Sequence, residues 1–148
     1  MQFKSLLKNL DVQSVHIPIA LASNTDANST RIDMSGYDGV MFVLPIEDSV
    51  STGIATLTVE ANTIDSDTGM VAITGASATK TCAVTDDING TLLVVDVKGP
   101  AKRYVQGVIT SATANIAFGT LTAYLYGAKK LPIAQGATVS ASTTVAGF

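Results

Sequence analysis

The stretch Thr91–Tyr126 restricts the possible folds more than any other part of the chain. In its first segment, Thr91–Val97, residues of both parities are apolar, which is typical of a strand in the centre of a sheet. A basic corner, Lys98–Tyr104, follows, and its Gly99-Pro100 dipeptide ends the pairing because proline has no N–H to donate. The β-branched and aromatic residues of 104–126 predict two more strands, so an antiparallel meander is the simplest construction.

The chain has few charged residues, which is informative about whether it works alone or within an assembly. A chain of 148 residues fits one domain, which buries roughly two-thirds of the surface of the unfolded chain. Apolar residues make up 47% of the chain and charged residues 14%, and tryptophan is absent, so the core must consist mainly of Val, Ile, Leu and Ala. Few charges give little electrostatic protection against association, which suits a subunit of a larger assembly.

Several classes of protein are disfavoured by composition. A net charge of −3 argues against nucleic-acid binding, which depends on many lysines and arginines. The single cysteine, Cys82, cannot form an internal disulfide and is interpreted as apolar filler. No run of about 18 apolar residues predicts a membrane helix, so we expect a soluble protein with no membrane partner. Lys4 and Lys8 before the run Val15–Ala22 imitate a secretory signal, but Asp11 and Pro18 interrupt it.

The N-terminal segment, residues 1–13, is predicted to be an arm or a short amphipathic helix that needs a surface to lie on. From Val15 to Leu21 the apolar period changes to two, which indicates a half-buried strand. Pro18 removes a ladder donor and would place this strand at a sheet edge. The residues that share the helical face are Phe3, Leu6, Leu7 and Leu10.

Short strand patterns separated by turns fill the middle of the chain. The segment Ile54–Ala61 alternates most regularly, Pro45 is expected to end the strand before it, and Asp86–Gly90 is expected to be a turn. About eight strands predict an all-β protein, an antiparallel β-sandwich or small barrel over residues 14–131. Residues 132–148 lack charge and bulk and are predicted to form an extended, flexible C-terminal arm that orders only against a neighbour.

Four segments carry a resemblance to a known family. The chain resembles small proteins encoded beside the major capsid protein in tailed bacteriophages, which are decoration, cement or head proteins. The likeness covers roughly Tyr37 to Pro132 and depends on the order and spacing of the segments. They are Tyr37–Val43, Ala55–Ala61, Gly99–Val105 and Phe118–Leu125.

The resemblance implies a structural virion protein on the capsid surface, made in the host bacterial cytoplasm. It would bind the major capsid protein and hold neighbouring capsomers together, with no cofactor. Three-fold positions of a capsid lattice make a homotrimer the natural expectation. The basic corner is either a patch that pairs with acidic capsid residues or a solvated turn. The candidate partner-binding residues are Phe3, Leu6, Leu7, Leu10, Lys98, Lys102 and Arg103.

No pattern predicts catalysis, and we expect the chain not to be an enzyme. Asp65 and Asp67 fall short of a calcium loop, and a solvated turn is the favoured interpretation of both this pair and Asp86-Asp87. No metal site is expected. A tail or head–tail joining component is the first alternative function. A carbohydrate-binding or adhesin sandwich is the second, and the absence of tryptophan weakens it.

Overall fold

Two antiparallel sheets form a β-sandwich in a computed structural model of the chain, which describes residues 5–146. The first sheet contains β1 (Asp11–His16), β2 (Ile19–Ala22), β5 (Gly39–Ser49), β8 (Leu92–Lys98), β10 (Ile116–Phe118) and β11 (Leu121–Tyr126). The second contains β3 (Asp26–Asn28), β4 (Ile32–Asp33), β6 (Ile54–Asn62), β7 (Val71–Thr81) and β9 (Tyr104–Ala112). The predicted fold class is confirmed.

The order of strands in the two sheets becomes clear when each strand that is interrupted by a break is counted as one. The pairs β1/β2, β3/β4 and β10/β11 each form one long strand with a break, which leaves eight units. The first sheet then reads β1/β2, β11/β10, β5, β8, and the second reads β3/β4, β9, β6, β7. This alternation between two four-stranded sheets is the order of a jelly roll. The predicted meander is therefore wrong, because β8, β9 and β11 alternate between the sheets.

The core lies between the inner faces of the two sheets. Strand β6 has the predicted alternation, with Leu57 and Val59 fully buried and Thr56 and Thr58 facing outwards. The turn at Asp86–Gly90 and the buried position of Cys82 also agree with the sequence. Large side chains from both sheets fill the centre, namely Phe42, Leu44, Ile46, Leu57, Ile109, Phe118, Leu121 and Leu125.

Strand β5 continues through Pro45, where the sequence predicted an end. The carbonyl of Pro45 accepts a hydrogen bond from the Gly119 N–H, which lies in the break between β10 and β11. A proline is tolerated there because no ladder partner on that side requires an N–H from it. The sequence predicts short strands at Met70–Thr74 and Thr81–Val84. The first is the beginning of β7, which continues to Thr81 because Gly75, with a φ of 81°, accommodates an irregularity within it, and residues 82–84 lie outside the strand.

The N-terminal predictions need correction. Instead of an amphipathic helix ending at Leu10, residues Leu6–Lys8 form a single 3₁₀ turn, and β1 begins at Asp11. The strand expected from Val15 to Leu21 is broken at Ile17-Pro18 into β1 and β2. The pairing register shifts between Ser14 and His16, so the expected alternation is lost. Of that apolar face, Val15 is buried but Ile17 is 74% exposed.

Strand β8 is an edge strand, which corrects its prediction as a central one. Within the described residues it pairs with β5 alone, through a continuous register from Gly39–Lys98 to Pro45–Leu92. Its inner face carries Leu93, Val95 and Val97 in the core. The apolar residues of its other face therefore remain at the surface.

The C-terminal tail lies on the chain's own N-terminal segment. The Ile133 N–H donates to the Lys8 carbonyl, and the side chain of Gln135 bonds to three backbone groups between residues 7 and 12. The sequence predicted that the tail orders only against a neighbour. Residues 132–146 instead lie on their own chain.

Across the described range, 5–146, no helix is long and apolar enough to cross a membrane.

Candidate interaction surfaces

An apolar surface covers part of the outer face of the first sheet. Residues paired directly across an antiparallel ladder share a face, so Val94 lies beside Val43, and Leu92 lies beside Pro45. Tyr124 joins them from β11, opposite Met41. Leu92 and Val94 are 56% and 44% exposed. We call this surface the outer patch, and its members are Met41, Val43, Pro45, Leu92, Val94 and Tyr124.

One end of the outer patch is closed by a hydrogen bond between strands. The Tyr126 hydroxyl donates to Asp96 Oδ1 at 2.6 Å, from β11 across β5 to β8. Burial and then the bond to Asp96 raise the pKa of Tyr126 to about 12. Lys98, a predicted partner-binding residue, is exposed at the end of β8. The exposed face of β8 therefore passes from the apolar residues of the outer patch to the charged residues Asp96 and Lys98.

The basic corner is held to the second sheet by Arg103. Its Nε donates to Asp33 Oδ1 at 2.9 Å and its Nη2 donates to Asp33 Oδ2 at 2.8 Å, a bidentate pair. The guanidinium also lies 5.2 Å from the centroid of the Tyr104 ring. The hydrogen bonds from Arg103 hold the pKa of Asp33 well below its ordinary value, and Asp33 in turn raises the pKa of Arg103. The charge of Arg103 is thus engaged within the chain.

The two lysines of the corner are placed differently. In the described part of the chain, neither Lys98 nor Lys102 forms an ion pair. Lys102 is half-buried and lines a shallow cavity of about 240 Å³ with Ala61, Val71, Ile73 and their neighbours. A corner predicted as one basic patch therefore consists of a paired arginine and two lysines with distinct surroundings.

The predicted partner-binding residues of the N-terminal segment also differ from one another in exposure. Phe3 lies outside the described residues. Leu6 is 71% exposed, whereas Leu7 and Leu10 are half-buried beneath the C-terminal tail, whose Gln135 bonds to both of their carbonyls. The fold therefore does not bring these leucines together as one apolar face. The segment contributes a covered edge of the sandwich.

The aspartates of the β6–β7 loop are paired with a cation from the chain itself. Arg31 donates from Nε to Asp65 Oδ1 at 2.5 Å and from Nη1 to Asp67 Oδ1 at 2.7 Å. These bonds raise the pKa of Arg31. Asp87 accepts from the N–H groups of Ala83 and Val84, an arrangement that stabilises its turn. Among residues 5–146, no three acidic, histidine or cysteine side chains are grouped to hold a metal ion.

Sequence reasoning missed the outer patch, although its signal was present. Apolar residues of both parities in β8 were interpreted as a strand in the centre of a sheet, but Leu92 and Val94 lie on a face that the described chain leaves open. No protein-family model matches the chain, and a search of curated proteins finds no relative. Interpretation of these surfaces therefore depends on the residues themselves.

Proposed function

We propose that this chain is a structural virion protein, a capsid decoration or cement protein that binds the outer capsid lattice and stabilises the head through protein–protein contacts. Its partners would be the major capsid protein and other copies of itself, as a homotrimer on the capsid surface. The observation that carries the proposal is the outer patch, with Leu92 and Val94 exposed in a chain of sparse charge. Contiguous exposed apolar surface is typical of protein-binding sites.

The architecture supports the proposal without deciding it. Jelly rolls occur among viral capsid proteins, and also among lectins and cupins, so the fold alone does not give the function. The resemblance of segments such as Tyr37–Val43 and Gly99–Val105 to phage head proteins favours the first group. A protein that binds only the assembled shell shifts the shell away from disassembly by mass action.

Lys98 extends the proposed surface. It follows Leu92, Val94 and Asp96 on the exposed face of β8, so an acidic partner residue placed beyond the apolar part would meet its charge. Such a contact contributes to the rate and orientation of association more than to affinity. Arg103 is a weaker candidate for partner binding, because releasing it would break its bidentate pair with Asp33.

Cosedimentation with expanded capsids of the cognate phage tests the proposal. The double variant L92K/V94K places charge on the outer patch at exposed positions, and T79K/T81K is a matched control at exposed positions of β7. We expect L92K/V94K to weaken binding at least about tenfold, which corresponds to ~1.4 kcal/mol, and the control to bind as the wild type does. No cosedimentation of the wild type, or equal loss in both double variants, would contradict the proposal.

A carbohydrate-binding module is the second candidate, favoured by the Tyr124 side chain on the outer face of a jelly roll. Binding of the isolated protein to a glycan array, lost in Y124A, would favour it over capsid binding. The copy number per virion distinguishes a decoration protein from a tail or head–tail joining component. A joining ring has a small fixed number of copies, whereas a decoration protein covers the shell.

A further inference from the structure

The free side of β1 is an edge of the first sheet that requires hydrogen-bond partners. β1 pairs with β11 on one side, and the backbone N–H groups of Val12 and Ser14 are used on the other. An uncovered edge of this kind is a template for pairing with another chain. Whatever covers β1 therefore controls whether this edge of the sandwich is available.

Side chains of the C-terminal tail provide that cover. Gln135 Oε1 accepts from the Val12 N–H at 2.9 Å, and Thr138 Oγ1 accepts from the Ser14 N–H at 3.2 Å. Gln135 Nε2 donates to the carbonyls of Leu7 at 2.8 Å and Leu10 at 2.6 Å. The tail thus runs beside β1 and caps it through two side chains instead of pairing with it as a strand.

The tail is attached by polar contacts at the surface. Between Gly127 and Ala146 no described residue is buried, so the tail adds no side chain to the core. The other hydrogen bonds between the described part of the tail and the N-terminal segment are the Ile133–Lys8 backbone bond and a hydroxyl pair, Ser5 Oγ to Thr144 Oγ1, at 3.1 Å. Each such bond replaces a hydrogen bond to water and is individually weak. Release of the tail therefore opens these surface hydrogen bonds and leaves the buried core between the two sheets intact.

A pivot for release lies just before the tail. The backbone N–H of Lys129 donates to the Gly36 carbonyl, and its Nζ donates to the Ser35 carbonyl, which fixes the chain as far as residue 129. Residues 130–132 are exposed, and the contacts with the N-terminal segment begin at Ile133. The segment beyond residue 132 can leave without disturbing β11, the strand that precedes the pivot.

We propose that the C-terminal tail is exchanged between copies of this chain, so that Gln135 and Thr138 of one copy cap the β1 edge of another. The contacts made in exchange are those made within one copy, so the two arrangements differ mainly in entropy and in concentration. Exchange competes with docking of the tail on its own chain. It becomes substantial when the concentration of neighbouring copies reaches the effective concentration of the tethered tail, which is on the order of 1 mM for a short linker. The inference goes beyond the proposed function, because it holds whether or not the copies bind a capsid.

Cross-linking between isotopically distinct full-length copies tests the exchange. The γ-oxygens of Ser5 and Thr144 are 3.1 Å apart, so cysteines at these two positions are close enough for a disulfide. A ¹⁵N-labelled S5C protein and an unlabelled T144C protein are mixed at about 1 mM, the effective concentration of the tether. They are then oxidised, and the mixed disulfide peptide is measured by mass spectrometry. The buried Cys82 is common to both samples.

We expect several times more disulfide from this mixture than from a control in which S5C is replaced by T74C, an exposed position in β7 of the other sheet. Adding Q135A to the T144C protein should return the yield to the control level. A yield no greater than that of the control would overturn the exchange. Failure of the double variant S5C/T144C to cross-link within one chain would also overturn it, because the tail would then not dock at this edge. Neither result bears on capsid cosedimentation, which tests the proposed function separately.

Discussion

The ring of Tyr126 in β11 packs directly on the backbone of Gly39 in β5, its pairing partner. A Cβ at position 39 would lie 2.6 Å from Tyr126 Cε2, closer than two carbon atoms can approach. The tyrosine ring occupies the space of a side chain, so any residue larger than glycine at position 39 would displace the ring. The ring in turn directs its hydroxyl to Asp96, so the pair closes one end of the outer patch.

The substitution G39A should lower the free energy of unfolding by about 1–3 kcal/mol, because the added methyl group overpacks the contact with Tyr126. Denaturant unfolding measures this change. G36A is the matched control, since nothing lies within 4 Å of a Cβ at that position. In a Y126A background the cost of G39A should fall, and equal cost in both backgrounds would show that the two residues are not coupled.

Tyr126 should titrate near pH 12, because burial and the bond to Asp96 favour its neutral form. In the unfolded chain a tyrosine titrates near 10, so the native state retains a proton that the unfolded state loses. Stability from this group is present below about pH 10 and is lost as pH rises towards 12. Tyrosinate absorbance of the wild type minus that of Y126F measures the pKa. A difference curve centred near 10 would contradict the assignment.

The pair formed by Asp33 and Arg103 should make stability depend on pH at the acid end. Because Arg103 lowers the pKa of Asp33, the stabilisation is present above the unfolded value of about 3.9 and is lost as pH falls below it. Both side chains are about half exposed, so D33N should lower stability only slightly at pH 7. The difference between wild type and D33N should shrink below pH 4, and R103A should behave like D33N. If the stability difference between wild type and D33N were unchanged at low pH, the ion pair of Asp33 and Arg103 would not be its source.

Calcium should leave the thermal midpoint of the protein unchanged. Arg31 already occupies an oxygen of both Asp65 and Asp67, the two carboxylates of the β6–β7 loop, through hydrogen bonds, and its positive charge opposes the binding of a cation there. Melting curves with millimolar calcium and with EDTA measure this directly. A rise in midpoint that EDTA reverses would show that the loop binds the ion despite Arg31, and R31A would then be expected to enlarge the rise.

Removing the cap of β1 should be visible at single amides. In Q135A the Val12 N–H loses its acceptor and two carbonyls lose their donor, so we expect about 1–3 kcal/mol of lost stability. Hydrogen exchange at Val12 and Ser14 should accelerate, while the core amide of Leu57 should lose only the protection that this global loss explains. S142A, an exposed tail position, is the control. Unchanged exchange at Val12 would show that Gln135 does not cap the edge.

The local signals in the sequence were sufficient for the fold class. Alternation in β6, the turn at Asp86–Gly90 and the apolar inner face of β8 follow from side-chain period and backbone preference, which are properties of neighbouring residues. The same signals could not identify the pairing partners. Whether β8 lay at the centre or the edge depended on β5 and on the crossing between sheets, which are distant in sequence.

The order of residues along the sequence determined an all-β domain and its composition determined a low charge, whereas the tertiary structure decided which surfaces that domain presents. Arg103 and Asp33 are 70 residues apart, and Gln135 caps a strand 123 residues before it. No local pattern contains such contacts, because they form only when the fold brings together segments that are distant in the sequence. The outer patch has the same origin, since an apolar side chain becomes a surface only when the fold leaves its face uncovered.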